Sequence, residues 1–185
     1  MILETVTFIG QAFSITLPIL ISGIFFIVSM KKGWLKSLDR PIDFGFKLGK
    51  NHLFGVNKNW RGALCYVFGG TLVTLVLHYA EPSQPWIAQV FRNDPLVLGF
   101  SICSAYVLGE LVNSFMKRRL GIAPGSQGKL FQRFIDTTDG GIASGLVFLV
   151  WFKVPIALLL ITMVLSLVIH ATTDVWMRNL GLKSK

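Results

Sequence analysis

The stretch YVLGELVNSFMKRRLGIAPG, residues 106–125, decides the class of this chain. An apolar run contains a single carboxylate, Glu110, and ends at three consecutive cations, Lys117, Arg118 and Arg119. An apolar run of about 20 residues is long enough to cross the hydrocarbon core of a bilayer as a helix. Cations directly after such a run are typical of the cytoplasmic end of the helix. The stretch therefore predicts a membrane-spanning helix with an acid inside it.

The composition extends this prediction to the whole chain. Of the 185 residues, 52% are hydrophobic and 15% charged, and the mean hydropathy is +0.61, whereas soluble domains average about 25% charged residues. Five apolar runs predict membrane spans over residues 7–30, 62–80, 95–115, 140–152 and 154–175. The fourth run is short, so its helix is expected to begin near Asp136 or to be tilted. The predicted fold is an all-α integral membrane protein with about five transmembrane helices in one domain, residues 1–185.

The net charge of +9 follows from the predicted topology. Sixteen of the eighteen Lys and Arg residues fall in residues 31–61, 116–139 and 176–185. Five spans with the N-terminus outside and the C-terminus cytoplasmic place all three segments on the cytoplasmic side, as the positive-inside rule expects. The chain is thus predicted to lie in the inner (cytoplasmic) membrane with two large cytoplasmic loops, and the charge does not indicate nucleic-acid binding. The N-terminus, with Glu4 and no early cation, does not resemble a secretory signal.

A carboxylate at membrane depth is a functional hypothesis by default, because inserting one costs about 2.5–3.5 kcal/mol. On a helix, Asn113 and Ser114 follow Glu110 on the same face, and Lys117 and Arg118 lie one turn further on. Such a face runs from an acid through hydrogen-bonding groups to cations. The alternative is a basic anchor combined with a carboxylate that is paired inside the helix bundle.

The second loop adds two acids to this region. Asp136 and Asp139, in IDTTDGG, share a face if a helix begins there, although acids at a helix start are also ordinary caps. With Glu110 they make three carboxylates near the cytoplasmic boundary. The neighbouring cations are Lys117, Arg118, Arg119, Lys129 and Arg133. Hard oxygen ligands for Mg²⁺ surrounded by cations are what a nucleoside triphosphate site needs.

Three further features leave alternatives open. In the first loop, NKNWRG places Trp60 between Lys58 and Arg61, which suits a phosphate or an interfacial anchor. Small residues at Gly140, Gly141, Ser144 and Gly145 allow close approach of another helix or of a ligand.

In the last span, His170 and Asp174 share a face, and the histidine is either functional or merely satisfied by a neighbouring hydroxyl. Asp39 is interpreted as a member of a loop ion pair.

These motifs together resemble the CDP-archaeol synthase family, membrane cytidylyltransferases that are distantly related to phosphatidate cytidylyltransferase. The main motif falls on Gly109, Glu110, Ser114, Phe115, Lys117, Arg118, Arg119, Gly121, Ile122, Gly125, Asp136 and Asp139. The first loop matches at Asp43, Gly55, Lys58, Trp60, Arg61 and Gly62, and the last span at His170. Glu110 departs from the family pattern, in which Asp is expected.

The resemblance implies that CTP and a lipid phosphate react to give a CDP-lipid and pyrophosphate, with Mg²⁺ as cofactor. The lipid would be 2,3-di-O-geranylgeranylglycerol phosphate or a relative such as phosphatidate. The implied catalytic residues are Glu110, Asp136 and Asp139, which would also bind the metal, with Lys117 and Arg118. The implied substrate-binding residues are Lys58, Trp60, Arg61, Asp43, Asn113, Ser114, Arg119 and His170. A transporter and a non-catalytic anionic-lipid-binding protein are the alternatives, and a homodimer is left open.

Overall fold

Five long α-helices run through the part of the chain that the structure, a computed structural model, describes: residues 2–124 and 130–179, with side chains at 3–124 and 131–173. The helices are α1 (Ile2–Lys32), α2 (Trp60–Ala80), α3 (Pro95–Arg119), α4 (Leu130–Val150) and α5 (Ile156–Asn179). Gly125, Lys129 and the side chain of Asp174, which the sequence analysis considered, lie outside the described residues. The predicted all-α membrane class is confirmed.

Four of the five helices are long and apolar enough to cross a membrane: α1, α2, α3 and α5. The exception, α4, has 21 residues, a length of about 31 Å at 1.5 Å per residue, but its first turns carry Gln132, Arg133, Asp136 and Asp139. The helix begins at Leu130, upstream of the apolar run at 140–152. This confirms the expectation that the short fourth run belongs to a helix that starts earlier.

Local sequence sets where α2 and α3 begin. The Asn59 side chain accepts a hydrogen bond from the Gly62 amide at 2.8 Å and so caps α2. The Asp94 side chain caps α3 by accepting from the amides of Leu96 and Val97. Pro95, in the first turn of α3, has no amide hydrogen to satisfy. Both helices are therefore fixed at their N-terminal ends by polar side chains that the sequence supplies.

The helices pack as neighbours with alternating directions, and α3 lies between α2 and α4. One end of the bundle, here called the basic end, is formed by the C-terminal ends of α1, α3 and α5 and the N-terminal ends of α2 and α4. The opposite end is closed by the loop between α2 and α3, whose Ile87 and Phe91 are fully buried against Leu98 and Ile102. The apolar core is thus concentrated away from the basic end.

A two-stranded hairpin covers part of the basic end. It pairs β1 (Lys47–Leu48) with β2 (Asn51–His52) in antiparallel register within the first basic loop. The Arg119 guanidinium donates to the carbonyl oxygens of Leu48 and His52, at 2.9 and 2.8 Å. The Asn51 side chain returns a hydrogen bond to the Arg118 carbonyl at 3.0 Å. The end of α3 therefore holds the first basic loop over the helix bundle.

Candidate active site

Two carboxylates of α4 converge on one amide of α3. The Asn113 Nδ2 atom donates to Asp136 Oδ1 and to Asp139 Oδ2, at 2.7 Å in each case. Gln132 completes the cluster by donating to the Asn113 oxygen and to Asp136. The helices come this close because Gly109 of α3 faces α4, where a Cβ atom would lie 2.7 Å from the Ala143 side chain. The sequence prediction that Asp136 and Asp139 share a face is confirmed.

Two lysines are paired with the acids of the site. Lys117 Nζ lies 2.7 Å from Asp136 Oδ2, and Lys58 Nζ lies 2.5 Å from Glu110 Oε2. Lys58 comes from the first basic loop and Glu110 from α3, so this pair joins the loop to the helix bundle. All four side chains are partly buried. Each lysine that was predicted to bind phosphate thus contacts an acid that was predicted to bind metal.

The donor set suits a divalent cation held by two carboxylates. Asp136 Oδ1 and Asp139 Oδ2 both accept a hydrogen bond from Asn113 Nδ2 at 2.7 Å, so the two carboxylates face the same point beside α3. Proteins usually bind Mg²⁺ through one or two carboxylates together with substrate phosphates. Glu110 interacts electrostatically with Asp139, but no three acidic, His or Cys side chains among the described residues are grouped tightly enough to hold a metal ion. The three-ligand set stays a prediction.

Arg118 is buried without the partners that a buried guanidinium needs. It is only 4% exposed, and in the part of the chain that the structure describes its Nε and Nη1 atoms have no hydrogen-bond acceptor. It interacts electrostatically with Asp136, which places it beside the acid cluster. An unsatisfied buried donor costs about 1–3 kcal/mol, and more when it is charged. An anionic ligand in the site would supply the missing acceptors.

Arg61 and Arg119, in contrast, are used by the fold. The Arg61 guanidinium contacts Asp39 at 3.0 Å and the Trp34 carbonyl at 3.4 Å, and Arg119 holds the hairpin as described above. The interpretation of Asp39 as a member of an ion pair is confirmed, but its partner is Arg61 at the start of α2 and not the adjacent Arg40. Both arginines were predicted to bind substrate, and the structure places both in contacts that shape the first loop.

Asp43 also organises this loop. Its carboxylate accepts hydrogen bonds from the backbone amides of Gly45, Phe54 and Gly55. Burial by itself would raise the pKa of Asp43, but the three amides outweigh this effect and hold the pKa below its ordinary value of 3.8. The residue therefore stays ionised at neutral pH and fixes the approach of the loop to Lys58.

The other predicted substrate-binding residues lie around this cluster. The Trp60 ring packs against Phe44 with centroids 6.0 Å apart, and no described residue offers an acceptor to its buried Nε1 atom. Ser114 is buried on α3. His170, on α5, lines the cavity described next, as Glu110 does.

An apolar cavity of about 380 Å³ leads away from the acids between α1, α4 and α5. Glu110 and Tyr106 line it at the basic end, and Ile15 and Phe148 line it at the far end. The small residues of α4 divide between the two roles that the sequence left open. A Cβ atom at Gly140 would lie 2.6 Å from the Tyr106 ring, whereas one at Gly141 or Gly145 would meet no atom of the described residues within 4 Å. Gly140 thus serves helix packing, and the other two glycines border open space.

Sequence reasoning missed Tyr66, Tyr106 and Gln132. The two tyrosine rings stack with centroids 5.0 Å apart, where the cavity meets the polar cluster. Tyr106 lies one turn before Glu110 on α3, and Gln132 lies one turn before Asp136 on α4. Extending each predicted functional face by one helical turn would have found both residues. Tyr66 has no such signal, because its position depends on how α2 packs against α3.

A protein-family model matches most of this chain. The family described as CarS-like, CDP-archaeol synthase, matches residues 15–185. The chain belongs to the CDP-archaeol synthase family. The resemblance inferred from the motifs is therefore confirmed over nearly the whole chain.

Curated members of the CDP-archaeol synthase family support the assignment. The protein of that name from Methanospirillum hungatei JF-1 is 32% identical over 149 residues, which cover 77% of this chain and 87% of the relative. The one from Pyrococcus furiosus is 34% identical over 87 residues, which cover 46% of this chain and 48% of the relative. The chain thus matches about half the length of the Pyrococcus protein.

A solved structure shares the fold. It is described as an intramembrane enzyme for archaeal membrane lipids biosynthesis, and it superposes with a TM-score of 0.63 over 95% of both chains. The sequence identity is 20%, so this likeness concerns the fold alone. It agrees with the confirmed prediction of an integral membrane protein.

Proposed function

We propose that this protein is a CTP-dependent cytidylyltransferase that converts a membrane lipid phosphate into a CDP-lipid and releases pyrophosphate. The observation that carries the proposal is the cluster of paired acids and cations at the polar end of an apolar cavity. Membership of the CDP-archaeol synthase family supports the same activity.

The chemistry requires little from a general base. An oxygen of the lipid phosphate attacks the α-phosphorus of CTP, and the bond between that phosphorus and the oxygen bridging to the β-phosphate breaks. The attacking phosphate is largely ionised at pH 7, because its second pKa is about 6. The difficulty is to bring two polyanions together and to stabilise the charge that develops on pyrophosphate. Cationic side chains in a partly dehydrated site meet that need.

We assign the phosphate-binding roles to Lys58, Lys117 and Arg118. Arg118 has free donors already, while each lysine would exchange its carboxylate partner for a phosphate oxygen. Arg61 and Arg119 would contribute indirectly, by holding the first loop and its hairpin in place. Ser114, Trp60 and His170 remain proposed contacts to substrate at the edges of the cluster.

We assign the Mg²⁺ ligands to Asp136 and Asp139, with Glu110 available once Lys58 turns to phosphate. Asn113 and Gln132 would orient the two aspartates. Bound Mg²⁺ would neutralise charge on the triphosphate and on the leaving pyrophosphate. Asp43 would contribute indirectly, because its hydrogen bonds fix the loop that carries Lys58.

The lipid is proposed to be 2,3-di-O-geranylgeranylglycerol phosphate, since the curated relatives are named CDP-archaeol synthases. Phosphatidate presents the same reacting group and is the alternative. We place the basic end at the cytoplasmic face of the inner membrane, where CTP is available and where the positive-inside rule puts basic loops.

The decisive experiment uses the purified protein in detergent with labelled CTP, Mg²⁺ and a panel of lipid phosphates. We expect a CDP-lipid with at least one panel member, and almost none after Asp139→Asn. A non-catalytic lipid-binding protein would keep lipid binding in both forms and yield no product. If the folded wild-type protein binds lipid phosphate but converts none of the panel, the proposed activity is wrong.

A further inference from the structure

The depth of the apolar cavity matches one leaflet of a bilayer. Its lining on α4 extends from Thr137, beside the acids, to Phe148. At a rise of 1.5 Å per residue these eleven steps span about 17 Å. Half of the hydrocarbon core is about 15 Å thick. A lipid whose phosphate lies at the basic end would therefore find room for the full length of a tail.

The two ends of the cavity differ in chemistry. Glu110 lines it at the basic end, next to the phosphate-binding cluster. At the far end Ile15, Ile102 and Phe148 are at most 4% exposed and belong to the apolar core. The cavity is thus polar where a headgroup would lie, aliphatic along its length and closed by packed side chains at its end. A volume of about 380 Å³ falls in the range of ligand pockets, about 300–1,000 Å³.

Two glycines keep the cavity open along α4. Gly141 and Gly145 are one helical turn apart and both line the cavity, and a Cβ on either would lie more than 4 Å from every described neighbour. Glycine inside a helix is about 1 kcal/mol less favourable than alanine. Neither position requires glycine for contact with another helix, in contrast to Gly140. The absence of side chains here leaves space that the fold does not use.

We propose that this cavity binds one hydrocarbon tail of the lipid phosphate, and that Gly141 and Gly145 make tail length a determinant of substrate selection. The inference rests on the proposed function and adds the site that recognises the tail. The second tail of a two-tailed lipid would remain in the bilayer, because the cavity is partly open along its side.

The test fills the cavity at two depths and compares tails of different length. Gly145→Leu blocks it about one turn deeper than Gly141→Leu does. Ala157→Leu is the matched control, because Ala157 is an exposed small residue of α5 outside the cavity lining. Each variant is assayed with dioctanoyl and dipalmitoyl glycerol phosphate, and the KM for CTP is measured in parallel.

We expect Gly145→Leu to lower kcat/KM for the dipalmitoyl substrate about tenfold, as the loss of two buried methylenes implies, and to leave the dioctanoyl substrate and the KM for CTP nearly unchanged. Gly141→Leu should impair both lipids, and Ala157→Leu neither. Equal losses with both lipids in Gly145→Leu, or no loss in a folded variant, would overturn the inference.

Direct binding separates this inference from the proposed activity. The affinity of each variant for a fluorescently labelled long-tailed lipid phosphate is measured without CTP. Weaker binding by Gly145→Leu than by Ala157→Leu supports the tail site even if the wild-type protein makes no CDP-lipid. Equal binding by the two variants refutes the tail site even if the enzyme is active. Gly145→Ala, which adds a single methyl group, provides a milder second variant should Gly145→Leu fold poorly.

Discussion

At the scale of single residues, two buried arginines at the basic end differ in what their guanidinium groups contact. Arg61 donates from both terminal nitrogens, to Asp39 and to a backbone carbonyl, and leaves only Nε without an acceptor, whereas Arg118 leaves both Nε and Nη1 without acceptors among the described residues. Sequence patterns gave the two residues the same proposed role, that of a phosphate ligand. Their surroundings separate them into a fold-stabilising cation and a cation available to a ligand.

Replacing Arg118 by Ala should therefore affect activity and stability in different ways. We expect a loss of about 10–100-fold in kcat/KM, since a hydrogen bond to a charged group contributes about 1.5–3 kcal/mol. Thermal stability in detergent should stay level or rise, because the unpartnered buried charge is removed.

Arg61→Ala is the matched control for Arg118→Ala. It should lower the free energy of unfolding by about 1–3 kcal/mol, because it removes a hydrogen bond between two charged groups. Its effect on turnover of the remaining folded protein should be smaller. A destabilised Arg118→Ala that keeps full activity would contradict the assignment.

Asp43 gives the first loop a dependence on pH. Since its folded-state pKa lies below the ordinary 3.8, the stabilisation that it provides is complete above pH 4 or so and is lost as the pH falls through the lowered value. Asp43→Asn should mimic the acid form at neutral pH. We expect faster hydrogen exchange at the amides of Phe54 and Gly55 in this variant.

Asp94→Asn serves as the control for this measurement, because Asp94 caps α3 at the opposite end. It should leave exchange in the first loop unchanged. Identical exchange in Asp43→Asn and the wild type at neutral pH would show that the carboxylate does not hold the loop.

At the scale of elements, two adjacent glycines of α4 have opposite surroundings. Gly140 packs on the Tyr106 ring, and Gly141 faces open space. Gly140→Ala should lower the free energy of unfolding by about 1–3 kcal/mol through overpacking. Gly141→Ala should raise it by up to about 1 kcal/mol through helix propensity. Thermal unfolding of the two variants in the same detergent tests this, and a shift of equal sign in both would argue against the packing described for α4.

The hairpin shows where sequence patterns stop being informative about elements. Long apolar runs predicted the helices because burial in a bilayer depends on length and hydropathy. Strands of two residues carry no periodicity, and this pair depends on Arg119 and Asn51 contacting parts of the chain more than 60 residues away in sequence. Because these contacts cannot be read from sequence, the motif assigned Arg119 to the substrate and gave no sign of its contact with the hairpin.

At the scale of the whole molecule, the predicted orientation can be tested chemically. Lys50→Cys, on the exposed hairpin, should react with a membrane-impermeant thiol reagent only after cells are opened. Ser83→Cys, in the exposed loop at the opposite end, should react in intact cells. The wild-type protein is the blank, because Cys65 and Cys103 are at most 3% exposed. The reverse pattern would place the basic end outside and exclude cytoplasmic CTP as the donor.

Much of the candidate site follows from sequence at this scale. The acids Asp136 and Asp139 and the lysines Lys58 and Lys117 meet at the basic end because helix ends with basic loops gather on one side. Which cation pairs with which acid does not follow, since this depends on the path of the first loop. The small residues of α4 left close approach of a ligand as one interpretation, but the depth of the tail cavity does not follow from sequence, because it depends on how α1 and α5 pack beside Gly141 and Gly145.

The ion pairs Lys58–Glu110 and Lys117–Asp136 have a consequence for how incoming anions compete. An anion that is small enough to contact only one lysine leaves the paired carboxylate without its cation, and repulsion from that carboxylate opposes its binding. A triphosphate accompanied by a divalent ion can engage both lysines and leave neither acid uncompensated. Without ligand, the two ion pairs therefore favour an anion that contacts both lysines over one that contacts a single lysine. Inorganic phosphate should be a poor competitor of CTP.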